Sequence, residues 1–317
     1  MSSFHFVLSF FMKSIFSEDD IVYAVGDLQG CRESLDELLE YIPKSAKLIF
    51  VGDIVNRGPD SLGTLRAVKE MCEEGRAMAL LGNHDLHLLA IAAGAGAVHR
   101  KDTLTDILLA DDKDEMIDWL RRLPLLITMP GFVFVHAGIA PQWDLKMAKK
   151  LAREVNLELS SDHWKEYLRD MYGNDLFKPK AKGVHRMRAI LNGFMRMRYV
   201  DQNGRLDFDA KGGISEAPEG LIPWFDYPRK VKRTICFGHW STLGLLLRPD
   251  TIAIDTGCLW GGALPRSGCT TGEYSRFAAR SGRLPAASGG ENQCAGLLYW
   301  RLRAQPWRLP PRRAPQR

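Results

Sequence analysis

Three apolar runs near the start of the chain end at side chains that could ligate a divalent cation. Ile21 to Val25 leads into Gly26-Asp27-Leu28-Gln29-Gly30, Leu48 to Val51 into Gly52-Asp53-Ile54-Val55-Asn56-Arg57-Gly58, and Ala77 to Leu81 into Gly82-Asn83-His84-Asp85. Each string alone is an ordinary turn, because Gly, Asn and Asp are the usual turn formers. Together they imply three strands that set down carboxylate, amide and imidazole groups at one edge. A mixed oxygen and nitrogen set suits manganese, cobalt or magnesium better than a structural zinc.

The elements that must position these groups follow from apolar spacing. Arg32 to Ile42 carries Leu35, Leu38, Leu39 and Ile42 at helical intervals, and a second helix starts at Pro59 with Leu62, Leu65 and Val68 inward. A third runs from Asp85 to Ala93, and Leu104 to Leu109 and Asp114 to Leu123 read as two covering helices. Strand-helix-strand units place ligands beyond the carboxyl ends of the strands. Leu125 to Thr128 and Phe132 to Val135 flank a Pro130-Gly131 turn and bring His136 to a strand end, and Thr234 to Phe237 does the same for His239. The segment between the two histidines is read as a mostly helical, substrate-facing insert around residues 144–232, with a hairpin at Asn203-Gly204. Thr251 to Asp255 is the last clear strand.

These residues carry a family resemblance. Asp27, Gly52 to Gly58, Gly82 to Asp85, His136 and His239 resemble the metallophosphoesterase signature of the phosphoprotein phosphatase superfamily. The longer strings Gly82 to Ala90, His136 to Leu145, Met171 to Asn174 and Arg196-Met197-Arg198 are similar to those of the symmetrical bis(5'-nucleosyl)-tetraphosphatases, the bacterial diadenosine tetraphosphatases, and set them apart from protein phosphatases. The resemblance covers roughly residues 20–264. It implies an α/β fold (α+β by some schemes), a four-layer calcineurin-like sandwich of two mixed sheets flanked by helices. It also implies two divalent cations, manganese or cobalt with magnesium as the further option. Asp53 would bridge them, Asp27 and Gln29 would serve one site, and Asn83, His136 and His239 the other. The expected chemistry is in-line attack by a metal-activated hydroxide on the tetraphosphate, giving two ADP. Arg57 would grip phosphate oxygens and His84 would protonate the leaving phosphate. Arg186, Arg188, Arg196 and Arg198 form a candidate clamp for the remaining charge, and Trp143, Tyr172 and Trp240 are candidate adenine platforms. Nucleoside-tetraphosphate-capped RNA 5' ends are a second expected substrate. His87 is read as a solvated polar position.

Two departures from the superfamily pattern matter. Gln29 stands where most members have a metal-binding histidine, which exchanges an imidazole for the weaker amide oxygen. Asn56 stands where protein phosphatases have an aspartate, so the partner of His84 is an amide, which orients an imidazole without raising its pKa. A nucleoside diphosphate leaves more readily than a serine alkoxide, so the change is compatible with catalysis. A protein serine/threonine phosphatase, or a catalytically weak metal- or nucleotide-binding protein, are the alternative readings.

The bulk composition narrows the remaining classes. With 317 residues and 45% hydrophobic content the chain can bury a sizeable core. The net charge of +5 resides in the end of the chain, since residues 265–317 hold ten Arg against two Glu (+8), which leaves −3 for residues 1–264. No duplex DNA binding is inferred from such a distribution. The six cysteines form no C-x-x-C pair, which argues against a zinc ribbon or a disulfide framework and fits a reducing cytoplasm. Phe4 to Phe11 is far short of the ~20 residues of a membrane helix. Residues 1–19 are expected to be a disordered extension, with Met12 a plausible start, and the Arg/Pro/Gly-rich residues 265–317 a disordered or divergent tail. Nothing in the sequence sets the oligomeric state.

Overall fold

The computed structural model describes residues 20–258, Phe16, and the backbone of a strand at 297–301. Three strand-helix units open the chain: β1 (Ile21–Val25) and α1 (Arg32–Glu40), β2 (Lys47–Phe50) and α2 (Ser61–Glu73), β3 (Ala77–Ala79) and α3 (Asn83–Ala92). There follow α4 (Thr105–Leu109), α5 (Lys113–Leu120) and the hairpin β4 (Leu126–Met129) and β5 (Phe132–Val135). Next come α6 (Leu145–Ser160), α7 (Trp164–Leu168), α8 (Gly183–Met195), β6 (Tyr199–Val200), β7 (Leu206–Asp207) and β8 (Ile222–Pro223). The order closes with β9 (Thr234–Phe237), β10 (Leu246–Leu247), β11 (Thr251–Ala253) and β12 (Leu297–Arg301).

Two mixed sheets result, in the orders β12-β1-β2-β3 and β10-β11-β9-β5-β4. β1, β2 and β3 run parallel, with Val22 opposite Lys47 and Leu48 opposite Ala77. β5, β9 and β11 are the parallel strands of the other sheet. Side chains alternate across each strand, so every second residue points into the space between the sheets. Val22, Ala24, Ile49, Val51, Phe134, Cys236, Ile252 and Ile254 form that inner layer. The opposite faces, including Leu48, Phe50, Val133, Val135, Ile235 and Phe237, join a larger apolar cluster with the helices. Leu35 and Leu38 of α1 and Leu65 and Val68 of α2 are buried in it, each contributing about 1.5–3 kcal/mol of transfer free energy. The layers are therefore helix, sheet, sheet, helix, as the resemblance implies.

The insert differs from expectation. Its α-helices end with α8, after which β7-β6-β8 form a small third sheet around a 3-10 turn at Ile214–Glu216, and the expected Asn203-Gly204 hairpin is its β6–β7 pair. A second correction falls in the tail. β12 pairs antiparallel with β1 from Ile21↔Arg301 to Val25↔Leu297, so the first sheet has an edge strand that composition had not suggested. Apart from Phe16 and β12, the expectations for residues 1–19 and 265–317 lie outside the described residues.

Candidate active site

Asp27, Asp53, Asn83, His136, His239 and Asp255 each follow a strand within four residues. Both sheets end on the same side, and this is what gathers them. One donor atom each from Asp53, His136 and His239 lie within 4.8 Å of one another. His136 Nδ1 is 3.0 Å from the Val51 carbonyl, so Nδ1–H donates there and Nε2 presents its lone pair 3.4 Å from Asp53 Oδ1. The His239 peptide N–H donates to both Asp27 oxygens at 3.1 and 3.0 Å. Asn83 Oδ1 lies 3.0 Å from His136 Nε2 and 2.7 Å from His239 Nδ1.

Local backbone makes this convergence possible. Among the described residues, the non-glycine residues with positive φ are Gln29, Asp53, Asn56, Arg57 and His239, all of them site positions. Left-handed backbone costs an L residue roughly 1–2 kcal/mol, and such strain collects where a site requires it. Two glycines are needed for close approach. A Cβ on Gly82 would overlap the backbone and carboxylate of Asp53, and one on Gly238 would overlap Asp27 Oδ1.

Electrostatics suit a cation. Burial, and next the neighbouring Asp255, push the Asp27 carboxyl well above its ordinary range. Burial also raises Asp255 to about 6. For Asp53 burial is outweighed by His136 and His84, which hold its carboxyl low. Burial, then Arg198, keeps His239 well below the usual imidazole range, and burial also lowers His84. For His136, burial is overcome by Asp53 and its pKa rises.

The donor set fits divalent cations. His239 Nε2 is buried without a hydrogen-bond partner. With its oxygen inward, Asn83 aims an acceptor at two imidazole nitrogens, a cation-ligating arrangement; turned over, its Nδ2 would donate to both rings and to the Met195 carbonyl. Asp255 and Asp53 raise the cost of ionising Asp27, and Asp53 raises that of Asp255, a cost which a dication would relieve. Gln29 is held at this edge by its backbone, donating to the Asp53 carbonyl at 2.7 Å and accepting from Gly58 at 2.8 Å.

The phosphate-directed candidates separate into two groups. Arg57 and Arg198 stand at the site. Arg57 Nη2 is 3.7 Å from Asp102 Oδ1. Arg198 donates to the His239 carbonyl at 3.3 Å, and its buried Nε lacks a partner. Arg196 donates to Gly173 O and Asn192 Oδ1, both at 3.0 Å, and lies over Phe208. Arg186 forks onto Glu154, and Arg188 donates to Asp170 O and Asp175. These last two brace the insert through those partners. Trp143 is wholly buried between Phe177 and Phe194, and Trp240 is buried with its N–H donated to Gly212 O and Thr242 Oγ1. Neither indole offers a face to a base. Tyr172 is 47% exposed and remains available.

Sequence reasoning missed Asp85, Asp102 and Asp255, and misjudged His87. Asp85 accepts from Ile54 N, Val55 N and Gly82 N, tying the second and third motifs together, and burial lifts its carboxyl to about 7. His87 is largely enclosed, bonded to Asp102 and Tyr172. Asp255 had a visible signal, as an Asp ending an apolar strand; Asp102 lies in a loop with none.

The calcineurin-like phosphoesterase model matches residues 22–242. A protein of Janthinobacterium sp. (strain Marseille) named bis(5'-nucleosyl)-tetraphosphatase, symmetrical, is 49% identical over 249 residues, 76% of this chain and 90% of that protein. One of the same name from Ralstonia nicotianae is 49% identical over 258 residues, 80% of this chain and 91% of its own. A crystal structure of a candidate diadenosine tetraphosphatase superposes with a TM-score of 0.51 at 23% identity, covering 77% of this chain and 86% of that one, a likeness of fold. The chain therefore belongs to the calcineurin-like phosphoesterases, metal-dependent hydrolases, and within them to the family of the symmetrical bis(5'-nucleosyl)-tetraphosphatases.

Proposed function

We propose that the chain hydrolyses diadenosine tetraphosphate symmetrically: water oxygen bonds to an inner phosphorus, the central P–O–P link breaks, and two ADP leave. The observation that carries this reading is the convergence of Asp53, His136 and His239, with Arg57, His84 and Arg198 beside them, in a chain 49% identical to proteins of that name. Asp53 would be shared by two cations, with Asp27 and the Gln29 amide oxygen on one and Asn83, His136 and His239 on the other. When bound, such cations lower the pKa of water they ligate and draw charge from phosphate oxygens. Manganese or cobalt fits the mixed donors, with magnesium the further option.

The chain's own groups do the rest. Arg57 would hold non-bridging oxygens through its planar fork, and the partnerless Nε of Arg198 supplies a second donor. His84 Nε2, 4.0 Å from Asp53 Oδ2, would donate to the leaving phosphate. Tyr172 is the remaining candidate base platform. Nucleoside-tetraphosphate caps on RNA present the same linkage and are a proposed second substrate. A cytoplasmic location is supported by the free thiols of Cys72 and Cys236; among the described residues no helix is long and apolar enough to cross a membrane. Chromatography of the products tests the reading: ADP alone, abolished by EDTA, is expected, and equal ATP and AMP would overturn it.

A further inference from the structure

Asn56 is fully engaged through its side chain. Its Oδ1 accepts from Arg57 N at 2.8 Å and Thr103 N at 3.1 Å. The Nδ2 group lies 3.1 Å from Asp102 Oδ1 and 3.0 Å from His84 Nδ1. An amide nitrogen carries two hydrogens and no acceptor, so one goes to each neighbour. His84 Nδ1 must then accept, and its hydrogen resides on Nε2, the nitrogen nearer Asp53. Turning the amide over would set its oxygen against the Asp102 carboxylate and break both bonds from Arg57 and Thr103.

Asp102 is built to hold that direction. Its side chain is inaccessible to solvent. The other oxygen, Oδ2, accepts from His99 N at 2.7 Å and from His87 Nε2 at 3.0 Å, and Tyr172 O–H donates to His87 Nδ1 at 2.6 Å. Although burial alone would raise it, these bonds hold its carboxyl down at about 2, so it is an anion at working pH.

We propose that Asp102 is a positioning residue for the reaction: through Asn56 it fixes His84 as the tautomer with hydrogen on Nε2, the nitrogen that faces the phosphate chain. The chain thus has a carboxylate behind its general-acid histidine, with an amide interposed, where protein phosphatases place an aspartate directly. The interposed amide makes Nε2 a hydrogen-bond donor to the leaving oxygen, which suffices for a nucleoside diphosphate. The inference rests on the role of His84 given above.

The test reads the tautomer directly, by nitrogen NMR of histidine-labelled protein loaded with diamagnetic magnesium, with His84 assigned by its loss in His84→Ala. Hydrogen on Nε2 is expected in the wild type; hydrogen on Nδ1 would overturn the proposal whatever the variants do. Asp102→Asn should mix the tautomers and lower kcat about 10- to 100-fold with KM nearly unchanged. In a His84→Ala background the same change should add nothing, whereas a full additive loss would mark Asp102 as merely structural. If Asp102→Asn does not fold, Asn56→Ala should give the same mixed tautomer, and an unaltered His84 signal there would sink the relay. Failure of the His84 reading itself is distinguishable, since His84→Ala would then keep its kcat.

Discussion

The peptide N–H of His84 donates to Asp53 Oδ1 at 2.7 Å, joining the end of β2 to the first turn of α3. The bond places a carboxylate at a helix N-terminus, where unpaired N–H groups and the helix dipole favour negative charge. It also aligns two neighbouring residues for different tasks, His84 above the carboxylate and Asn83 toward His136 and His239.

Asp53→Asn keeps an oxygen for that bond and removes the charge. Asp53 raises the cost of ionising Asp27, Asp85 and Asp255, whereas His136 and His84 favour its own charge, so in the metal-free variant the relief of the first is set against the loss of the second. Its melting temperature should no longer rise on adding manganese, and activity should fall by several orders of magnitude. His84→Ala should retain the metal-induced rise and lose about 10²- to 10⁴-fold in kcat. A variant at Asp53 that kept two metals per chain by elemental analysis, with most of its rate, would rule out the bridging role.

Gln29→His exchanges an amide oxygen for an imidazole beside Asp53. Gln29 has φ 47°, a conformation that histidine tolerates better than most residues, so the variant should fold. Metal affinity should tighten in a calorimetric titration; an unchanged curve would place residue 29 outside the ligand set.

Which parts were legible follows from the range of the physics involved. Asp27, Asp53, Asn83, His136 and His239 announce themselves because an apolar strand ending in Gly-Asp, Gly-Asn-His, Gly-His or, at His136, directly in a histidine is local in the chain. Arg186 and Arg188 do not reveal that Glu154 and Asp175 neutralise them, and Trp143 does not reveal that Phe177 and Phe194 enclose it. The Asn56–Asp102 bond spans 46 positions with no periodicity to mark either end. β12 was hidden for another reason, since its five residues stand far from any other apolar run and only the open edge of β1 gives them a partner.

Truncation after Leu264 removes β12 and leaves β1, the strand that presents Asp27, with an unpaired edge. A few lost backbone bonds at about 0.5–1.5 kcal/mol each should lower the melting temperature by ~5–10 °C. Scanning calorimetry of the two proteins measures it; identical melting curves would show that β12 adds nothing to the sheet.

Asp102 supplies a pH signature of its own. Its carboxyl titrates at about 2 in the folded chain and near 3.9 when unfolded, so the unfolded state binds its proton first as pH falls. The stabilisation is fully present above about pH 4 and is lost as pH drops through about 2. Burial opposes this, and the donors His99 N, His87 Nε2 and Asn56 Nδ2 produce it. Asp102→Asn cannot titrate there, so its stability deficit in urea unfolding should be constant from pH 7 to about 4.5 and shrink steadily toward pH 2. A deficit that stayed constant down to pH 2 would mean that the side chain acts through shape alone, and that the anion behind Asn56 is not what holds the amide in place.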